Sequence, residues 1–246
     1  MNEDHVILWQ YAPAMGIPNG SPFCMKVEAW LKMAGIPYKA QSIAMAPKSN
    51  TKKAPYIEVS GGEYLADSTL IIEHLSKERG INLDGHLTDH QQSLATLIQR
   101  TFEEDIYFTM MHDRWLIDGN WKLLREAYFS HLPFPMSTIV PLMVRSQVKR
   151  DCWGQGGARL DADYRDRKTI AALRAIAETL DDKEFFFDEP STLDATAFAF
   201  LANAKYLNVR MPSVALDFAA QEPRLSRLCE AFKARFWADW DWPKQG

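Results

Sequence analysis

The chain has 246 residues, 47 % of them apolar, with 28 basic and 32 acidic side chains; its net charge of −4 gives no electrostatic footing for nucleic acid or an anionic membrane surface. That length accommodates two modest domains, or one large one, with a sizeable core. The three cysteines, Cys24, Cys152 and Cys229, are odd in number and widely spaced, with no C-x-x-C pair and no zinc spacing, which fits a reducing, cytoplasmic setting.

The acidic start Met1-Asn2-Glu3-Asp4 lacks the basic and apolar regions of a signal peptide, so no export is expected. No segment reaches the ~18–20 uncharged apolar residues needed to span a bilayer, and a soluble protein is expected.

In chain order, residues 5–11 read as a fully buried strand, because their apolar side chains run consecutively. Residues 12–20 hold two prolines and two glycines and form a loop. Ser21-Pro22-Phe23-Cys24-Met25-Lys26 then starts a helix: serine is a preferred N-cap, proline at N1 costs no helical hydrogen bond, and Phe23, Val27, Trp30, Leu31 and Ala34 follow at helical spacing. Free N–H groups and the positive end of the helix macrodipole at such a turn stabilise an anion, a thiolate included. Ser21 reads either as a plain cap or as a group that activates chemistry there, and Cys24 either as buried filler or as a thiol facing that end.

After Gly35, residues 38–43 form a short strand and residues 45–53 an irregular polar segment; strand, helix, strand implies a parallel crossover. Residues 56–59 and 64–66 flank Ser60-Gly61-Gly62-Glu63, whose paired glycines suit a tight antiparallel hairpin. Asp67 caps a helix carrying Leu70, Ile71, Ile72 and Leu75 and ending near Gly80. Beyond Asp84 the strand signals stop. Helical patterns follow over residues 88–117, 121–131, 139–152, 163–180, 192–206 and 223–237. The switch places a domain boundary near residues 80–87, dividing the chain into residues 1–82 and 83–246. Ser191-x-x-Asp194 before an apolar run is a capping-box pattern. Glu103-Glu104-Asp105 reads as a solvated face, and His86 and His90 have no third ligand in view, so no metal site is expected.

Ser-Pro-Phe-Cys after a first strand, Lys53-Ala54-Pro55-Tyr56 opening a later one and Ala66-Asp67-Ser68 before a helix together resemble the glutathione S-transferase superfamily. Residue by residue they are most similar to its metaxin and failed-axon-connections branch, in a soluble, bacterial-type form. The resemblance implies a thioredoxin-like α/β N-terminal domain (βαβ then ββα) followed by an all-α domain.

It also implies glutathione as co-substrate. Ala54, before a cis Pro55, would meet the cysteinyl backbone, Asp67 and Ser68 the γ-glutamyl end, and Lys53, with Lys52 as the fallback, the glycyl carboxylate. Ser21 corresponds to an activating serine and Cys24 to a resolving cysteine, with Tyr11 as a rival activator. A pocket for a small apolar electrophile would be lined by Tyr107, Met110, Met111, Arg114 and Trp115. The expected function is glutathione-dependent transfer, or else a non-catalytic binding or sorting module of metaxin type; a homodimer is expected in either case.

Overall fold

The structure, a computed structural model, describes residues 5–43, 47–59 and 61–243. Met1–Asp4, part of the polar segment at residues 44–46, the turn residue Ser60 and residues 244–246 lie outside them.

Four strands form one mixed sheet in the order β2-β1-β3-β4: β1 (Val6–Gln10), β2 (Tyr38–Ser42), β3 (Tyr56–Val59) and β4 (Glu63–Ala66). Strands β1 and β2 pair in parallel around helix α1 (Pro22–Met33), whereas β3 is antiparallel to both β1 and β4. Burial along β1 alternates, which corrects the expectation of a fully buried strand: Val6, Leu8 and Gln10 face the core while Ile7 and Trp9 are half-exposed. On the outer face Trp9 stacks on Tyr56 and its indole N–H donates to Glu58 Oε1, while Lys48, from the segment before β3, lies over Trp9 and donates its backbone N–H to the Tyr56 hydroxyl.

Helix α2 (Ser68–Arg79) begins at Asp67, whose carboxylate accepts from the N–H groups of Thr69 and Leu70, and ends at Gly80 in the left-handed region. No strand follows Ala66 among the described residues.

Helix α3 (Asp89–Arg100) continues through a wide π-type turn over Thr101–Ile106 into α4 (Tyr107–Leu116). That turn alters the facing of the acidic run and corrects its reading as a solvated face. Glu103 is buried against α1, Glu104 is exposed, and Asp105 pairs with Lys168.

Helices α5 (Asp118–Phe129) and α6 (Met136–Gln155) follow. Pro141 lies inside α6, where its ring cannot donate to the Ser137 carbonyl; Arg125 Nη2 donates to that carbonyl instead, at 3.2 Å. The chain then forms α7 (Ala162–Leu180), α8 (Thr192–Lys205), α9 (Val214–Gln221) and α10 (Pro223–Phe236). The eight-residue α9, capped by Ser213, is too short to stand out as a period in the sequence.

Helix α8 is buried from Leu193 to Asn203 and packs along α1, so the two halves of the chain share one core. Its capping box is formed: Asp194 Oδ2 accepts from the Ser191 N–H at 2.8 Å and its hydroxyl at 2.9 Å, while Oδ1 accepts from the Phe186 N–H.

Candidate functional site

Strand register brings the motif residues to one end of the sheet. Trp9 lies opposite Tyr56 on β3, and Tyr56 lies opposite Ala66 on β4. The residues just beyond these pairs therefore converge: Tyr11 leaving β1, Pro55 entering β3, and Asp67–Ser68 leaving β4 into α2. The start of α1 joins them, because residues 12–20 return directly from β1 to Ser21. The Ala54–Pro55 peptide is cis, as is Phe134–Pro135.

The loop before α1 is built to fix Ser21. Asn19, fully buried, donates to the Tyr11 carbonyl at 2.7 Å and accepts from the Ser21 N–H at 2.9 Å. The Met15 carbonyl accepts from the Asn208 N–H and the Gly16 carbonyl from the Trp240 indole N–H. Asn203 Nδ2 donates to the Asn19 carbonyl and Arg114 Nη1 to the Gly20 carbonyl. A Cβ on Gly20 would fall 1.5 Å from the Tyr128 hydroxyl oxygen, so α5 reaches the same point.

At the helix start Ser21 Oγ accepts from the Cys24 N–H at 3.4 Å, and the Ser21 carbonyl accepts from the Met25 N–H. The Ser21 hydroxyl also hydrogen-bonds the Cys24 side chain, and the Phe23 N–H, in the first turn, has no partner within the helix.

The structure separates the expected site residues. Cys24 is fully buried and its thiol is pushed up to about 12 by burial, partly offset by hydrogen bonds involving Ser21 and the Tyr11 backbone. Of the two readings open for it, burial favours enclosed filler: the thiol sits beside the helix start, against Ser21 and the Tyr11 backbone, and burial disfavours its thiolate. The Tyr11 phenol is likewise pushed up to about 12 by desolvation, reinforced by Cys24 and Tyr128, although the residue is 40 % exposed. It can donate a hydrogen bond but is not ionised at neutral pH. Asp67 is exposed and engaged as the α2 cap, Ser68 is buried beside it, and Lys52 and Lys53 are exposed.

Of the expected pocket, Tyr107 meets Phe23 and Phe200 edge-on and Met111 is partly buried. Trp115 packs with Trp121 and Phe129 in a second small core, and Met110 lies in the main core. Arg114 lines no open pocket. It is 3 % exposed, and its guanidinium also donates to Asn203 Oδ1 at 2.9 Å and to the Asn203 carbonyl. The physical reason is helical phase: Arg114 points from α4 toward α8 and the underside of the site loop. Among the described residues no cluster of three or more His, Cys, Asp or Glu could hold a metal ion.

Sequence reasoning missed Asn19, Tyr128 and Asn203. Asn203 carried a usable signal, since an amide in an otherwise apolar buried helix needs partners. Tyr128 carried none, because its contact spans two elements far apart in the chain.

Residues 22–120 match the glutathione S-transferase N-terminal domain and residues 169–232 the glutathione S-transferase C-terminal domain. Failed axon connections of Drosophila melanogaster is 30 % identical over 254 residues, covering 97 % of this chain, which spans only 60 % of that relative's length. The isoprene-epoxide glutathione S-transferase of Rhodococcus sp. is 30 % identical over 209 residues, 80 % of this chain and 85 % of that protein. Metaxin-1 of Macaca fascicularis is 25 % identical over 84 % of this chain and 67 % of its own length. Among solved structures, a glutathione S-transferase of Methylobacterium radiotolerans in complex with glutathione sulfonate aligns over 98 % of this chain and 97 % of its own, with a TM-score of 0.56 at 18 % identity, a likeness of fold. Two matched domains that together cover more than half of the sequence, and a bacterial relative aligned over most of its length, place this chain in the glutathione S-transferase family.

Proposed function

We propose that the protein transfers glutathione to a small apolar electrophile, with the glutathione sulfur at the start of α1. The observation that carries this reading is the convergence of Ser21, Pro55, Asp67 and Ser68 at one end of the sheet, set by the β1-β3-β4 register. In it the Ala54 backbone meets the cysteinyl part of glutathione, Ser68 and the α2 start take the γ-glutamyl carboxylate, Asp67 its ammonium, and Lys53 the glycyl carboxylate.

The sulfur must be held as thiolate. Lowering a thiol's pKa by about two units takes roughly 2.7 kcal/mol of preferential stabilisation. A hydrogen bond from the Ser21 hydroxyl to the charged sulfur contributes ~1.5–3 kcal/mol and the helix end ~0.3–1 kcal/mol, which together reach that amount. The thiolate then attacks the electrophilic carbon: a carbon–sulfur bond forms while the bond to the leaving group breaks and the leaving group departs with the electron pair. Cys24, enclosed and protonated, takes no part, and Tyr11 is available as a second donor. Tyr107 and Met111 border the electrophile side. The isoprene-epoxide transferase among the relatives supports catalysis.

A second reading, a non-catalytic binding or sorting module, is favoured by the Failed axon connections and metaxin relatives. We place either function in a homodimer in the cytoplasm. Retention on immobilised glutathione, followed by turnover of 1-chloro-2,4-dinitrobenzene, separates the readings. Binding with turnover that falls ten- to a hundredfold in Ser21→Ala, at little cost in glutathione affinity, is the expected result. Binding without turnover selects the module, and no binding refutes both. Light scattering at micromolar concentration that returns the 28.1 kDa monomer mass contradicts the dimer.

A further inference from the structure

Among the described residues three cations are buried, and two of them have carboxylate partners. Lys26 Nζ lies 2.6 Å from Glu103 Oε1, and Arg165 Nη2 lies 3.7 Å from Asp113 Oδ1. Arg114 is as deeply buried, yet every partner it has is neutral: the Gly20 carbonyl, the Asn203 carbonyl and Asn203 Oδ1. Its Nε is enclosed with no acceptor.

Among the described residues, the groups around it supply no anion. Tyr107 and Tyr128 are both held protonated by burial, as are Tyr11 and Cys24 across the loop. Glu28, whose field reaches Cys24, is tied to Gln10 Nε2 and the Tyr38 hydroxyl, each at 2.9 Å, and burial pushes its carboxyl up. A guanidinium nevertheless keeps its proton when buried. Removing one charge from water without a counter-charge is costly, and breaking or omitting its partner is among the most destabilising arrangements in a core.

The position of this unpaired charge is informative. Arg114 reaches the Gly20 carbonyl, one residue before the α1 cap, so its field adds to that of the helix end. An anion on the open side of residues 20–23 would be the missing counter-charge.

We propose that Arg114 is the charge-supplying residue of the site, holding the sulfur of bound glutathione as an anion through the Gly20–Ser21 turn. The inference rests on the glutathione reading above. Arg114 does not touch the reacting atoms; it sets the potential in which they sit, and Asn203 holds it in place.

Two glutathione derivatives test this by calorimetry: glutathione sulfonate, which carries an anion at sulfur, and S-methylglutathione, which is neutral there. The intact protein should prefer the sulfonate by about tenfold, the effect of a unit charge several ångströms away at an intermediate dielectric. Arg114→Lys should retain most of that preference. Arg114→Gln should abolish it while S-methylglutathione affinity stays within about threefold, a split that loss of packing alone would not produce. Equal weakening of both ligands in Arg114→Gln overturns the proposal. Should that variant not fold, the unmodified protein decides, and a sulfonate preference below about twofold overturns it. Binding of S-methylglutathione without discrimination refutes only the role of Arg114, whereas binding of neither derivative refutes the glutathione reading and this inference with it.

Discussion

Lys26 and Arg114 are both buried cations at the seam between the sheet half and the helical half, and they are satisfied in opposite ways. Lys26 comes from α1 and meets a carboxylate from the π-type turn, with the Thr69 hydroxyl and Gln99 completing a closed network around Glu103. Arg114 comes from α4 and meets carbonyl and amide oxygens only. The first arrangement is complete within the protein and holds α1, α2 and α3 in register. The second leaves a net positive charge beneath the helix start where the functional reading places an anion.

The largest effect expected from this contrast is on stability at the paired cation. Lys26→Met removes the ammonium held against buried Glu103, leaving it only Gln99 and the more distant Arg100 guanidinium, and should cost about 3 kcal/mol, the low end for a broken buried pair, in urea unfolding. Adding Glu103→Leu should recover most of that loss, because the pair as a whole contributes little beyond what packed apolar side chains provide. A double variant no more stable than Lys26→Met would show that the two residues are not a closed unit.

Asp194 is the anionic counterpart of Arg114, a fully buried carboxylate satisfied by neutral donors. Burial pushes it up to about 6, against the hydrogen bonds from Phe186 and Ser191. The folded state therefore binds its proton more tightly than the unfolded chain does. Its contribution to stability is full below the ordinary carboxylate range and is lost as pH rises through about 6, an effect of about 3 kcal/mol for two units. The stability gap between the intact protein and Asp194→Asn should narrow by about 2 kcal/mol between pH 4 and pH 7. A gap that widens over the same range contradicts the direction of the shift.

A smaller effect is expected at Gly20, where the Arg114 acceptor carbonyl and the Tyr128 hydroxyl meet. Gly20→Ala drives a methyl into that hydroxyl and should cost about 1–3 kcal/mol. Tyr128→Phe removes the first clashing atom, so the double variant should regain part of the loss in a thermal melt. Additive losses would separate Tyr128 from this corner.

The smallest expected effect is at Cys24. Cys24→Ser should change turnover by less than about threefold, since the enclosed thiol lies outside the reaction. A large loss, or glutathione found attached to Cys24 by mass spectrometry, would return it to the chemistry.

Local rules carried much of the architecture into the sequence. Asp67 and Gly80 bound α2, Ser191 and Asp194 form the box that starts α8, and the glycine pair turns β3 into β4. The motif at Ser21 located the site because its cap and proline are short-range features. What the sequence withheld depends on contacts between distant elements. Glu103, Glu104 and Asp105 are chemically alike, and only the π-type turn separates the inward one from its neighbours. Cys24 at N3 of a helix reads equally as filler or as a reachable thiol, and only the packing of α1 in the shared core encloses it. Arg114 looked like pocket lining until its partners on α8 and the site loop were in view.

The most direct test of the central claim is a glutathione titration of the isotope-labelled protein followed by amide NMR. Saturable shifts confined to Ser21–Cys24, Ala54 and Asp67–Thr69 are the predicted result, because those backbone groups share one end of the sheet. Saturable shifts elsewhere, or none in these three segments at millimolar glutathione, would contradict it.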